Sequence, residues 1–441
     1  LFCALLLLAL CRPTLGQADV TPALQRVLDH SPADIELSLI LTLEPSREIE
    51  QLSHKVGRKQ RSLRLQTLQQ ATRNAHRQLA SYLDIHGVAV KRELWLVHGL
   101  AVSARAGVIS KLAERPEIAA IHLNRTYLLT EVEPLAFLFP GWNLEPIGAR
   151  DLWELGYRGR GTVVAVLDSG AELTHPDLEN SWRGTENNPA SGWFDPFDLS
   201  RLPTDRPSLA ADFGHGTAVT GVIVAGDQSG HELGVAPAAE WIAARIFDEN
   251  GLSNDATIIA SLQWTMDPDG DGNPSDAADI VNASWGLTAI GECRTVFRSA
   301  IQQLKNSGIA VVAAAGNSGP AGSTSQSPAN YPEVLAVGAS DAADLVTDFS
   351  SRGPSACDAA TTYPDLVAPG IGLTTTNAFT SDYTTVAGTS FSAPQVAGVL
   401  ALLMEAFPDA AIATLKEALR TAAVDLGVPG PDDSYGYGRL D

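Results

Sequence analysis

The chain reads Val163-Val164-Ala165-Val166-Leu167-Asp168-Ser169-Gly170, an apolar strand-like run that ends on a carboxylate and a turn. From Trp142 onward, such strand-like runs alternate with helix-like runs, and a long loop region separates the strand over 334–338 from the helix over 392–407. This alternation is typical of a mostly parallel sheet with helices on both faces. Functional residues in such sheets gather beyond the carboxyl ends of the strands and at helix amino termini. We therefore predict an α/β fold with Asp168 at the functional edge of its sheet.

A histidine and a serine follow in Phe213-Gly214-His215-Gly216-Thr217 and in Ala387-Gly388-Thr389-Ser390-Phe391-Ser392-Ala393-Pro394. Serine is a poor nucleophile unless a histidine takes its proton, and that histidine needs a carboxylate to orient it. Each motif alone is more often a turn, a structural histidine or a loop. Together, in this order, they indicate a triad of Asp168, His215 and Ser390.

These motifs resemble those of the subtilisin-like serine peptidases, the subtilase family, and within it the bacillopeptidase F group. The run Ala313-Ala314-Ala315-Gly316-Asn317-Ser318-Gly319 resembles the family segment that carries the oxyanion asparagine, here Asn317; an ordinary turn is the alternative. The resemblance covers about residues 142–441. It implies a serine endopeptidase that uses an acyl-enzyme intermediate and needs no cofactor for its chemistry.

The chain departs from the family pattern at three positions outside the triad. Ala218, Phe391 and Gln395 stand where relatives commonly carry His, Met and His.

The resemblance also implies two strands that hold an extended polypeptide substrate between them. The matching residues are Gly251, Leu252, Ser253, Ser284, Trp285 and Gly286. Because strand addition reads the backbone of the substrate, we expect broad specificity. The presumed pocket stretch, residues 316–332, contains no Asp or Glu that could pair with a P1 Arg or Lys.

The first residues, Leu1 to Leu10, form an apolar run too short to span a bilayer. We interpret residues 1–18 as a secretory signal with its start missing, cleaved after Ala18, so the protein is predicted to be secreted without stable membrane insertion. A lipoprotein site at Cys11 is the weaker alternative, because Leu10 precedes it. The run Gly436 to Asp441 resembles the family's entry into a last helix, which predicts a chain cut short there.

Residues 19–130 resemble the inhibitory propeptide of subtilases, an intramolecular chaperone that then lies across the active site. The pattern predicts a small α+β unit with a long helix over about 46–85 and a last strand over 118–128. We place the processing junction at 131–141 and the peptidase domain at 142–441. A permanent N-terminal binding domain is the alternative.

Charge is distributed unevenly between these two parts. Residues 19–130 hold 15 Lys and Arg against 11 Asp and Glu, whereas residues 131–441 hold 14 against 40. Opposite net charges predict attraction between the parts. The acidity of the second part argues against a nucleic-acid partner, because phosphate binding requires clustered basic residues.

Two other features have competing interpretations. Cys293 and Cys357 remain after signal removal and predict a disulfide in an oxidising compartment, against two unrelated thiols. The loop carrying Asp267, Asp269, Asp271 and Asp276 suits Ca²⁺, against a solvated acidic loop. It is not an EF-hand, since Ala278 stands where the twelfth-position Glu belongs.

Two other functions compete with the peptidase interpretation. A catalytically silent subtilase-like binding protein is disfavoured by the complete set of motifs, and a hydrolysis assay separates the two. A lipase-type α/β-hydrolase is disfavoured because such enzymes use Gly-x-Ser-x-Gly and the chain order Ser, Asp, His.

Overall fold

A computed structural model describes residues 18–52, 56–129, 138–205 and 213–441. They form two units: one holds the described residues up to Glu50 with Leu68–Arg125, and the other holds Gln51–Thr67 with Thr126–Asp441. Nearly all of the predicted signal, and the first seven residues of the predicted junction, lie outside the described residues. No helix among the described residues is long and apolar enough to cross a membrane.

The first unit is built on a five-stranded sheet with order β1-β5-β2-β4-β3, parallel only between β1 and β5. Alternate residues of β2 are buried against apolar residues of α3 such as Leu79 and Leu83, as the period-two pattern requires. Up to residue 123 the elements are β1 (Asp19–Val20), α1 (Pro22–Leu28), β2 (Glu36–Leu43), α2 (Arg47–Leu52), α3 (Arg61–Ile85), β3 (Ala89–Leu94), β4 (Gly99–Arg105), α4 (Ile109–Ala113) and β5 (Ile118–Leu123).

The long helix predicted over about 46–85 is two helices, α2 and α3. Gly57 lies between them with φ of 102°, a conformation that glycine adopts without strain and that a helix cannot contain. A 3₁₀ turn, Arg58–Gln60, then leads into α3. The prediction of one helix overlooked this glycine.

The second unit is built on a seven-stranded sheet. Its elements are β6 (Thr126–Leu128), α5 (Ala149–Glu154), β7 (Val163–Asp168), β8 (Trp193–Phe194), α6 (His215–Val224), β9 (Glu240–Arg245), β10 (Leu252–Asn254), α7 (Asp255–Trp264), β11 (Ile280–Ala283), α8 (Arg298–Asn306), β12 (Ala310–Ala314), β13 (Leu335–Ser340), β14 (Leu366–Pro369), β15 (Ile371–Thr376), β16 (Tyr383–Ala387), α9 (Thr389–Ala406) and α10 (Ile412–Ala422).

All neighbours in this sheet are parallel, in the order β14-β13-β12-β11-β7-β9-β8. Every residue of β7 is buried, because helices cover both faces of a parallel sheet. Helices α6 and α9 are buried along almost their whole length and join the same apolar core. The predicted α/β fold is confirmed.

Two predictions about strands are wrong. The single strand predicted over 118–128 is two strands, and β6 pairs antiparallel with β10 rather than continuing β5. The stretch after β13, predicted as one long loop, contains β14, β15 and β16. These strands are short and broken by Pro369 and Gly372, which hides their periodicity.

Candidate active site

Asp168 and His215 form a hydrogen-bonded pair at the carboxyl edge of the central sheet. Asp168 is the last residue of β7 and is fully buried, and His215 is the first residue of α6. The Nδ1 atom of His215 lies 2.7 Å from Oδ1 of Asp168. A carboxylate only accepts hydrogen bonds, so Nδ1 donates to Asp168, and Nε2 is the ring nitrogen that can act as a base.

Ser390 is the second residue of α9, in the helix turn where backbone N–H groups have no partner within the helix. Its Oγ donates to the carbonyl oxygen of Ser284 at 3.1 Å. The Oγ of Ser284 donates in turn to the carbonyl oxygen of Ser390 at 2.7 Å. The ring of Phe391, next along the helix, lies 5.4 Å from the ring of His215. This contact brings His215 to the start of α9.

Asn317 is held by the residue that precedes Ser390. Its Oδ1 accepts from the backbone N of Thr389 at 3.0 Å and from the Oγ1 of Thr389 at 2.8 Å. That hydroxyl accepts from the backbone N of Gly316 at 3.2 Å. Because a backbone N–H only donates, the amide oxygen faces Thr389 and the NH₂ group is turned away from it. The arrangement fixes a donor beside the amino terminus of α9.

One cavity is lined by both Ser390 and Asn317. Of the predicted substrate residues, Ser284, Trp285 and Gly286 also line it. No carboxylate is among the described residues that line it, which are Tyr127, Leu128, Leu129, Phe247, Ile258, Ser284, Trp285, Gly286, Leu287, Ala314, Gly316, Asn317, Gln326, Thr389 and Ser390.

The predicted strand Gly251 to Ser253 is paired with the chain's own residues. In the antiparallel register Leu252 faces Leu128, and Ser253 faces Tyr127. The backbone N of Leu129 donates to the carbonyl oxygen of Gly251 at 2.9 Å. The cavity is thus lined in part by this added stretch of the same chain, residues 127–129.

Asp205 is a site residue that the sequence interpretation missed. Its buried Oδ2 accepts from the backbone N and the Oγ1 of Thr217, both at 2.8 Å. Thr217 is the third residue of α6, so this carboxylate caps the helix that begins at His215. Burial raises the pKa of Asp205, and the charge of Asp168 raises it further. No local sequence signal marks Asp205, because it lies in a loop before the helix.

The acidic loop brings three of its four aspartates together. Carboxylate oxygens of Asp267, Asp269 and Asp276 all lie within 4.8 Å of one another. Asp271 is not in this group; its Oδ1 accepts from the backbone N of Asn273. Burial, together with the neighbouring Asp269 and Asp267, raises the pKa of Asp276 to about 6. Three clustered oxygens are donors that Ca²⁺ takes.

Cys293 and Cys357 form a disulfide with their Cα atoms 4.7 Å apart. It links the segment before α8 to the loop that follows β13.

Comparisons with known proteins agree with this architecture. The chain is 33% identical to bacillopeptidase F of Bacillus subtilis (strain 168) over 376 residues, covering 78% of this chain and 25% of that protein. It is 29% identical to the minor extracellular protease Epr of the same organism, covering 77% of this chain and 48% of that protein. It is 30% identical to subtilisin E of that organism over 358 residues, covering 80% of this chain and 81% of that protein.

The chain therefore spans about a quarter of the first relative and about half of the second. The sequence profile of the subtilase family matches residues 159–438, which is more than half of the chain. The predicted family is confirmed, and the chain belongs to the subtilase family.

Proposed function

We propose that the protein is a serine endopeptidase that hydrolyses peptide bonds of extended polypeptides. The observation that carries this proposal is the 2.7 Å hydrogen bond between buried Asp168 and His215, whose ring packs against the residue that follows Ser390. The family supports the same activity. No cofactor is required for this chemistry.

In the proposed reaction, Nε2 of His215 takes the Oγ proton of Ser390 as Oγ attacks the scissile carbonyl carbon. The amide of Asn317 and the backbone N–H of Ser390 donate to the oxyanion. The C–N bond then breaks as His215 protonates the leaving amine. Water then attacks the acyl carbon while His215 takes its proton. His215 returns that proton to Oγ of Ser390 as the acyl C–O bond breaks and the acid product leaves.

Each oxyanion donor stabilises negative charge that develops only in the transition state. Losing one is expected to lower kcat by about 10²–10³-fold, a value measured on a member of this family. Asn317→Ala should therefore lower kcat and change KM much less.

The test is Ser390→Ala. The wild type should react with a fluorophosphonate and hydrolyse casein, and the variant should do neither while keeping the same circular dichroism spectrum. Hydrolysis by the folded variant would contradict the proposal.

We further propose that residues 19–130 are an inhibitory propeptide and that Ser390 cuts within the junction at 131–141. Support comes from β6, which pairs with β10 and places Leu128, with Leu129 after it, in the wall of the cavity that Ser390 also lines. A segment in this position is bound in the way a substrate is bound. The N-terminal sequence of the purified protein tests the proposal. The wild type should be cut within the junction, and Ser390→Ala should remain uncut. A permanent binding domain would instead remain attached in both proteins.

Secretion is the proposed location. The apolar start of the sequence supports it, as does the disulfide, which persists in oxidising compartments. One relative is itself named an extracellular protease. Detection of the mature protein in culture medium is the test.

We propose a structural Ca²⁺ on the acidic loop. Asp267, Asp269 and Asp276 supply the clustered oxygens that support it. Asp271, part of the set predicted from sequence, is outside the proposed ligands.

A further inference from the structure

A short basic stretch of the predicted propeptide belongs to the second unit. Residues 56–67, termed here the arginine segment, carry Arg58, Arg61 and Arg64 at intervals of three, the spacing that places side chains on one side of a helix. Arg64 is fully buried and Arg61 is 7% exposed. Buried arginines are rare unless each is paired, so their contacts define a specific site.

The contacts are with groups at the end of α8. The Nε of Arg61 donates to the carbonyl oxygen of Ser307 at 3.1 Å, and a terminal nitrogen of Arg61 donates to that of Gly308 at 3.4 Å. Arg64 donates to the side-chain oxygen of Gln303. Carbonyls at a helix carboxyl terminus lack partners within the helix and carry the negative end of its dipole. They are suitable acceptors for guanidinium groups.

Asp279 supplies the formal negative charge. Its Oδ1 lies 3.0 Å from Arg58 and 3.9 Å from Arg61, while its Oδ2 accepts from the backbone N of Val163 at 3.1 Å. The backbone of the segment takes part as well, since the N of Gly57 donates to the carbonyl oxygen of Asn306 at 2.8 Å. Side-chain and backbone contacts together therefore fix the position of the arginine segment relative to Asp279 and the end of α8.

This surface lies at the opposite edge of the sheet from the triad. Asp279 immediately precedes β11, and Ser307 and Gly308 precede β12, so all three mark the amino edge. Asp168 ends β7 at the carboxyl edge. Two segments N-terminal to the junction therefore pack within the second unit, β6 beside the active-site cavity and the arginine segment at the amino edge of the sheet.

We propose that the amino-edge surface, formed by Asp279, Gln303, Asn306, Ser307 and Gly308, is a second docking site for the propeptide, separate from the active site. This inference rests on the proposed self-processing. Once the junction is cut, nothing covalent holds the N-terminal fragment. The arginine segment then keeps the fragment bound and extends the inhibited state.

The test follows maturation of the full chain. Arg61→Gln with Arg64→Gln removes two positive charges from the docking site. Arg73→Gln with Arg77→Gln is the matched control, because it removes the same charge from exposed positions on the same helix α3. Gel electrophoresis gives the rate of junction cleavage, and a chromogenic peptide gives the time at which activity appears.

The double variant Arg61→Gln with Arg64→Gln is called the docking variant. We expect it to cut its junction and then to show peptidase activity sooner after the cut than the wild type does. The interval between the two events should shorten about tenfold, the effect of losing roughly one charged hydrogen bond. The control pair should keep the wild-type interval. Equal intervals in all three proteins would overturn the docking site, whereas absence of junction cleavage in the wild type would overturn the proposed self-processing.

If the docking variant does not mature, hydrogen exchange on Ser390→Ala full chain decides the question. Adding Asp279→Asn should raise the exchange rate of the Gly57 amide about tenfold or more, because its neighbour Arg58 loses its ionic partner. Adding Asp344→Asn, which removes the aspartate of an ion pair with Arg439 elsewhere in the second unit, should not. An unchanged rate with Asp279→Asn would contradict the proposal.

Discussion

Phe391 has a consequence for resistance to oxidation. Its ring lies beside the rings of His215 and Phe213, at 5.4 and 6.4 Å, and the residue is almost fully buried. A methionine here would be oxidised to a bulkier, polar sulfoxide beside the nucleophile. We expect wild type to keep most of its activity in hydrogen peroxide and Phe391→Met to lose it.

The control for this experiment is the chain's own methionines. Met266 and Met404 are present in both proteins, so any loss of activity through their oxidation should be equal in the two. Activity before and after one peroxide exposure is the measurement. Equal losses in the two proteins would place the damage at another residue.

Asp205 should make stability depend on pH. An acid whose pKa is raised by folding binds more protons in the folded state than in the unfolded state, so its ionisation costs stability as pH rises above the ordinary value of 3.8. Asp205→Asn keeps an oxygen acceptor for Thr217 and removes the ionisation. In the Ser390→Ala background, we compare Asp205→Asn with the parent that keeps Asp205. We expect the melting temperature of Asp205→Asn to rise relative to that of the parent as pH increases above about 4, the unperturbed pKa of an aspartate.

A second variant separates the charge from the cap. Asp205→Ala removes both the ionisation and the acceptor, so it should be less stable than Asp205→Asn at every pH by about 1 kcal/mol, the usual value of a helix cap. Calorimetry across pH gives both effects. A melting-temperature difference between Asp205→Asn and the parent that does not change with pH would refute the ionisation argument.

Among the elements, the loop from Asp267 to Asp276 makes a prediction about calcium. A cation bound only by the folded state stabilises it by mass action, by about 2.7 kcal/mol at a hundredfold excess over Kd. Chelation should therefore lower the melting temperature of Ser390→Ala protein, and added Ca²⁺ should restore it. Asp269→Asn with Asp276→Asn should abolish this response.

Asp271→Asn is the matched control, because Asp271 is the aspartate of the loop that lies outside the carboxylate cluster. It should respond to calcium as the parent does. A full response in the Asp269 and Asp276 double variant would locate any calcium elsewhere.

The cavity beside α9 makes a prediction about specificity. Its described lining is apolar or uncharged, with polar members that include Gln326, Asn317 and Ser284, and with no carboxylate to pair with a basic side chain. Burying an unpaired Arg or Lys there is costly. A peptide library should therefore show cleavage after apolar and uncharged P1 residues exceeding cleavage after Arg or Lys, and a profile dominated by basic P1 residues would refute this.

At the scale of the whole molecule, the charge difference between residues 19–130 and 131–441 predicts salt-dependent inhibition. The propeptide supplied in trans should inhibit the mature enzyme more weakly as salt rises. The change should be modest, because screening acts on exposed charges, with a Debye length of about 3 Å at 1 M. An inhibition constant that does not change with salt would exclude an electrostatic contribution.

The sequence predicted the features of the molecule that depend on local pattern. The strand ending at Asp168 follows from its apolar run, and the parallel sheet around it follows from the alternation of strand-like and helix-like runs. Contacts between distant segments were not predictable in this way. Two such contacts join Asp205 to the first turn of α6 and Asp279 to Arg58. They form only in the tertiary structure and leave no periodic signal in the sequence. The break between β5 and β6 was missed for the same reason, since β6 finds its partner in β10.

Asp279 also bears on the order of folding. It joins β11 to Val163 of β7, a contact that spans 116 residues of chain. Contacts of such long range impose a large loop-closure entropy and slow the folding of parallel sheets. The arginine segment is synthesised before either strand and carries the cations that meet Asp279. The arginine segment can thus serve as a template for the pairing of β7 with β11, the strand pair of this sheet with the longest separation along the chain. Removal of the segment should therefore reduce the rate of refolding more than it raises the rate of unfolding.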